Sequence, residues 1–187
     1  MLGIAGMTLI ELLVGVALSL GAIVATGALL SSGAAARARA ATGAEAFVEV
    51  AEAVDQLVRD VRIAGYDPTT RANAGLTHAG ATLIELTADL DANGSIELDS
   101  AEHITYRPSV AGDSLQRVVG SQSMPIVSNL APGGFRLRYF DASGTEIDPT
   151  LPEATASIRF VTCDLATSPV RPLPGVRLSG GARLLNP

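Results

Sequence analysis

The chain has 187 residues, enough for one modest domain plus one special segment and too few for two full-sized domains. Its net charge is −6, and its 13 basic residues, all arginine, are scattered, which argues against a nucleic-acid partner that would need a basic patch. Hydrophobic residues make up 48% but aromatics only 4%, and alanine and glycine supply much of the apolar count, which suits helix–helix contacts better than an aromatic core. The first element in chain order is an apolar run. Residues 12–36 carry no charged side chain over 25 positions. As a helix that run would be roughly 37 Å long, enough to cross a hydrocarbon core of about 30 Å. Gly15, Gly21 and Gly27 would weaken it in water, while small residues let membrane helices approach closely, and Gly15 and Ser19 have small-xxx-small spacing.

A secretory signal peptide or a plain membrane anchor is the simpler reading of this run, and three features oppose it. The first arginine is Arg37, beyond the run, where a signal peptide would begin with a basic stretch. The run is longer than a normal signal-peptide core. Glu11 sits at its head, one step before Leu12, and a carboxylate carried to the centre of a bilayer costs about 2.5–3.5 kcal/mol, so it usually has a partner.

The residues Gly6-Met7-Thr8-Leu9-Ile10-Glu11-Leu12 resemble the class III signal of type IV prepilins. The resemblance implies a leader of residues 1–6, cut after Gly6 by a membrane-embedded prepilin peptidase. It makes Met7 the first mature residue, usually methylated, and Glu11 the fifth. Met7 stands where phenylalanine is commoner, and the leader MLGIAG has no basic residue. Cleavage would leave a cationic amine on Met7. In a filament of parallel helices the Glu11 carboxylate could neutralise the amine of the adjacent subunit, since paired charges in a low dielectric attract strongly and either alone is expensive. Residues 7–36 would then form a membrane-spanning and filament-core helix. Residues 37–187 would form a periplasmic domain, with an amphipathic helix over 37–64 and a β-rich part over 68–187.

The helical pattern continues past Arg37. Phe47, Val50, Ala51, Val54, Leu57, Val58 and Val61 recur at three- and four-residue steps and make one apolar face. Acidic Glu45, Glu49, Glu52 and Asp55 lead and Arg59 and Arg62 close, as the helix dipole prefers. Gly65, with Asp67-Pro68 beyond, is the predicted stop. A single helix from about 8 to 64 is expected. Beyond Pro68 the period changes to two, and strands are predicted over 82–87, 103–107, 115–119, 135–140, 157–163 and 176–185. Asn93-Gly94 and the stretch 141–144 are turn signals, and 169–174 is a loop. A long helix followed by an antiparallel sheet is an α+β fold, the pilin architecture. Within that family the stretches 59–66, 126–130, 135–144 and 176–186 resemble PilW-type minor pilins, low-abundance subunits thought to prime assembly at the pilus tip. The J-type pseudopilin of type II secretion is similar in size and layout and stays open. The partners implied are other minor and major pilins, first in a bacterial inner membrane and then in a pilus or pseudopilus.

One further stretch has the form of a site. Asp89, Asp91 and Asn93 at positions 1, 3 and 5, Gly94 at 6, Ser95 at 7 and Ile96 at 8 match the start of a calcium loop, and Ca2+ is the cofactor they imply. Position 12 is Ser100 rather than Glu, so Asp99 or Glu102 would have to supply the remaining carboxylate. The competing reading is a hairpin turn with solvated carboxylates. A membrane-anchored calcium-binding or adhesive module is the corresponding alternative function. Cys163 reads as a small strand hydrophobe, less readily as an intermolecular bridge, and least as a nucleophile, since nothing places His78 or His103 beside it. With no paired histidines, no G-x-S-x-G and no histidine cluster, no enzyme is expected.

Overall fold

The computed structural model describes residues 8–151, 154–169 and 174–184. Among these residues the longest element is helix α1, Leu9–Ile63, followed by nine strands and one short helix. The chain divides into two units, residues 1–44 and 45–187. In the first unit the side chains of α1 are almost all exposed, including Leu12, Leu13, Val16, Leu20, Ile23, Val24, Leu29 and Leu30. Its hydroxyls are nonetheless satisfied. Ser19, Thr26, Ser31, Ser32 and Thr42 each donate to a carbonyl three or four residues back. A polar group bonded inside its own helix needs no water, which is the condition for a segment in lipid. This helix is long and apolar enough to cross a membrane.

In the second unit the rest of α1 buries Val50, Ala53, Val54, Leu57, Asp60 and Val61. Two expectations for that face change. Phe47 is half exposed, and Ala53 rather than Ala51 is buried, because the stripe runs 50, 53, 54, 57, 60, 61. The helix ends where Gly65 takes a φ of 81°, open to glycine without a Cβ clash. There Ala64 still donates to the Asp60 carbonyl, while the Gly65 N–H reaches across to the Thr87 carbonyl at 3.0 Å.

Two antiparallel sheets complete this unit. The first orders β1 (Leu76–Ala79), β2 (Ile84–Thr87), β3 (His103–Pro108), β4 (Leu115–Val119) and β5 (Gln122–Val127) in sequence. The second has the order β7-β6-β8-β9, from β6 (Leu130–Phe140), β7 (Glu146–Ile147), β8 (Phe160–Thr167) and β9 (Arg177–Arg183). Helix α2, Ala154–Ser157, precedes β8. The α+β class is therefore as expected. One core joins Val50, Val54, Leu57 and Val61 to Ile84, Leu86, Tyr106, Phe135, Leu137, Tyr139, Val161, Cys163 and Leu165. At the contact of α1 with β9, a Cβ on Gly180 would lie 2.3 Å from Val54 Cγ1, so the contact needs glycine.

Several strand bounds differ from expectation. The strand predicted over 82–87 starts at Ile84, because Gly80 donates to the Leu83 carbonyl and closes a turn there. The strand predicted over 157–163 starts at Phe160, because Ser157 ends α2 and Ile158 donates back to Thr155. Strands β1 and β7 have no counterpart in the sequence reading, and β5 meets the family-like stretch 126–130 only at Ile126 and Val127, because Asn129 turns at a φ of 54° before β6 begins. All three are short or mostly exposed edge strands, so they lack the apolar alternation that marks a half-buried one.

Candidate functional site

The residues that the sequence nominates lie in two places: the head of α1 and the acidic loop after β2. At the first, Gly6 and Met7 lie outside the described residues. Thr8 is the N-cap of α1 and Glu11 its third helical residue, and the two close a reciprocal capping box. The Glu11 N–H donates to Thr8 Oγ1 at 3.3 Å, and Glu11 Oε2 accepts from the Thr8 N–H and hydroxyl, each at 3.0 Å. All the Glu11 side-chain bonds fall on Oε2. Among the described residues none reaches Oε1.

The second place is the loop that leaves β2 and returns at β3. Asp89 is fully buried and is held from both sides. Its N–H donates to the Tyr66 carbonyl at 2.7 Å, just past the end of α1. Its carboxylate accepts from the Asn93 N–H at 3.1 Å, the Gly94 N–H at 3.0 Å and the Thr69 hydroxyl at 3.4 Å. Gly94 has a φ of 81°, the left-handed turn that lets the chain curl around Asp89. Glu102, 4% exposed, closes the other side, accepting from the N–H groups of Leu90, Asp91 and Glu97 at 2.8, 3.3 and 3.0 Å. Ligand oxygens of Asp89, Asp91 and Glu102 lie within 4.8 Å of one another, and this group could hold a metal ion.

Of the residues the sequence nominated, Asp89, Asp91 and Glu102 are thus brought together, and Glu102 rather than Asp99 supplies the third carboxylate. Asn93 braces the loop. Its Nδ2 donates to Asp91 and Glu97, and its Oδ1 accepts from the Ser95 N–H at 2.7 Å. Ser95 is exposed and joins the loop through that backbone bond. A hydrogen bond with the Glu97 side chain, then the N–H groups of Glu97, Leu90 and Asp91, holds the Glu102 carboxyl down to about 2. The same carboxyl–carboxyl bond with Glu102 pushes Glu97 up. The donor set is all oxygen, which suits a hard cation such as calcium or magnesium rather than zinc. Asp89 Oδ1, both Asp91 oxygens and Glu102 Oε2 each accept one N–H and keep a lone pair for a cation, whereas Asp89 Oδ2 and Glu102 Oε1 each already accept two bonds.

A third cluster escaped the sequence reading. Asp60, 6% exposed, accepts from the Tyr106 hydroxyl at 2.5 Å, from Arg117 Nε at 2.7 Å and from Gln56 Nε2 at 3.0 Å. It ties α1 to β3 and β4. Burial, then the Asp60 carboxylate, pushes the Tyr106 phenol well above its ordinary range, so it stays a donor. The available signal was an acid inside the apolar stripe between Leu57 and Val61. A cavity of about 140 Å³ separates this cluster from the acidic loop, with Arg117 and Glu102 both in its wall. Cys163 is buried in β8, and burial raises its thiol to about 11. Neither a family model nor a curated protein matches this chain.

Proposed function

We propose that the chain is a type IV pilin-like subunit, a PilW-type minor pilin that helps prime or cap filament assembly after a prepilin peptidase removes residues 1–6. One observation carries the reading. A single 55-residue helix is apolar and self-satisfied at its head and is the buried spine of a β-rich unit at its tail. A helix of that kind can leave lipid and enter a bundle of similar helices without losing its backbone bonds. The reading places the chain in a bacterial inner membrane as a single-pass protein, its β-rich unit in the periplasm, and later at the tip of a pilus. It gives the protein an assembly role and no reaction. The J-type pseudopilin of a type II secretion system is similar in size and layout and is the second form of the same proposal.

N-terminal sequencing of the mature protein tests the processing step. Met7 should be the first residue, and Gly6→Val should leave a mass larger by six residues. Any other start refutes it. Deletion should abolish filaments in which the wild-type protein is only a trace component, and its recovery as the main filament mass would overturn the minor role.

The loop favours one further reading, because Asp89, Asp91 and Glu102 converge on one point. We infer that it binds Ca2+ and that the ion fastens the loop to the end of α1 through Asp89. Binding to the folded state alone stabilises by mass action, about 2.7 kcal/mol at a hundredfold excess over Kd. The protein should melt higher in millimolar calcium than in EGTA, and Asp91→Ala should erase the difference. An unchanged melting temperature in the wild type would leave a solvated turn.

A further inference from the structure

The two sheets have four edge strands, and three are blunted. β1 is four residues long with a register shift between Leu76 and His78, β7 has two residues, and β5 contains Pro125, which has no N–H to offer. β9 differs. It runs for seven residues, pairs with β8 without a register shift and contains no proline.

The ladder fixes where its free backbone groups point. Leu184 donates to the Arg159 carbonyl, and the Val176 carbonyl accepts from Thr167, so the even-numbered residues bond toward β8. Bonded and unbonded positions alternate in an antiparallel pair. The N–H and C=O groups of Arg177, Ser179, Gly181 and Arg183 therefore face away from β8, and among the described residues no hydrogen bond reaches them. The side chains of Arg177, Ser179 and Arg183 share the sheet face opposite α1, since Gly180, one step out of phase, meets Val54. Arg136 and Arg138 stand on that same face, in register with Ser179 and Gly181 through β8. Arg138 is engaged by Glu146, whereas Arg177 and Arg183 are exposed and form no ion pair among the described residues. Asp164 shares this face and accepts from Ser179 Oγ at 2.5 Å, so with Glu146 two acids face four arginines, and in a chain of net charge −6 this edge is locally positive.

We propose that β9 is a docking edge for an extended acidic segment of another protein, added antiparallel to it, with carboxylates facing Arg177 and Arg183. A second copy is a poor occupant. Two β9 edges related by a twofold axis through residue 180 set Arg177 of each copy against Arg183 of the other, and like charges placed directly opposite destabilise a sheet. The arginines are six positions apart, roughly 20 Å along a strand, so the partner carries its acids at the same separation. Backbone bonds supply the affinity and the charges choose the partner. The inference rests on the sheet and is independent of the assembly reading.

The test uses the full chain in non-ionic detergent and two end-blocked peptides, EVTVTVE and KVTVTVK. At low salt the glutamate peptide should bind at least tenfold more tightly and slow amide exchange at residues 177, 179, 181 and 183. Ser179→Pro removes one outward N–H while leaving the β8 ladder intact, and it should abolish that protection. Arg177→Glu combined with Arg183→Glu should invert the peptide preference, and it decides alone if Ser179→Pro fails to fold. Equal affinity for the two peptides, binding by neither, or protection away from β9 would each overturn the proposal.

Discussion

Replacing Asp60 by alanine removes the one carboxylate that joins α1 to β3 and β4. The Tyr106 hydroxyl would lose its acceptor and Arg117 Nε its charged one inside the unit, where Tyr106 is fully buried and Arg117 is 17% exposed. Breaking a buried ion pair from one side typically costs about 3–5 kcal/mol. The low end applies here, because Arg117 keeps some solvent and its Nε still lies 3.2 Å from the Tyr106 oxygen, which can go on accepting. A loss of about 3 kcal/mol from a unit of this size lowers the melting temperature by roughly 10 °C. Differential scanning calorimetry of residues 45–187 is the assay. The double variant Asp60→Leu with Arg117→Met should be milder than Asp60→Ala, since removing both charges leaves neither unpaired. A loss under about 1 kcal/mol in Asp60→Ala, or a double variant worse than the single, would refute the argument that the pair anchors the helix.

The acidic loop makes stability depend on pH. The bond with the Glu97 side chain and the N–H groups of Glu97, Leu90 and Asp91 hold Glu102 to about 2 against an ordinary 4.5, so its contribution is lost as the pH falls from about 4.5 toward 2. Glu97, pushed up by the same bond, loses its contribution as the pH rises and it ionises. Glu102→Gln should flatten that acid limb in urea melts followed by circular dichroism. Cys163, raised to about 11 and buried, should resist iodoacetamide at pH 8 in the folded protein and react once urea unfolds it. Gly180→Ala should cost about 1–3 kcal/mol, read from the urea midpoint, because its Cβ would meet Val54.

The sequence revealed those parts of the fold that repeat a strong period. Expected over 8–64, the helix runs Leu9–Ile63, with Gly65 as its stop, and β4 falls on the predicted 115–119. What stayed hidden depends on contacts distant in the chain. Asp60 looks like a misplaced charge until the fold puts Tyr106 and Arg117, 46 and 57 residues away, against it. Glu102 falls beyond the twelve-residue calcium pattern. It returns to the loop because Ser100 donates to the Glu97 carbonyl and the Glu102 N–H donates to Ser100 Oγ, drawing in the intervening turn. The arginines look scattered because three strands must pair before 136, 138, 177 and 183 share a face.

On the proposed assembly reading, Glu11 would combine two roles in one side chain. The capping box alone would justify its presence, and a cap of this kind is worth about 0.5–2 kcal/mol. A carboxylate at the centre of a bilayer costs about 2.5–3.5 kcal/mol, so if Glu11 entered an apolar filament core, as proposed, the cap would not cover the expense and a cationic partner would. The geometry leaves room for one, because Thr8 occupies Oε2 and no described residue bonds to Oε1. The two roles separate under mutation. Thr8→Ala loses the N-cap hydroxyl but keeps the charge, whereas Glu11→Gln keeps an oxygen for the Thr8 N–H and loses the charge. If Glu11 neutralises the amine of the next subunit, Thr8→Ala should still co-isolate with partner pilins, while Glu11→Gln should be cleaved and inserted yet drop out of the assembly. A buried pair broken on one side costs about 3–5 kcal/mol, which corresponds to at least a hundredfold loss of recovery. Equal recovery of Glu11→Gln and wild type would reduce Glu11 to a helix cap.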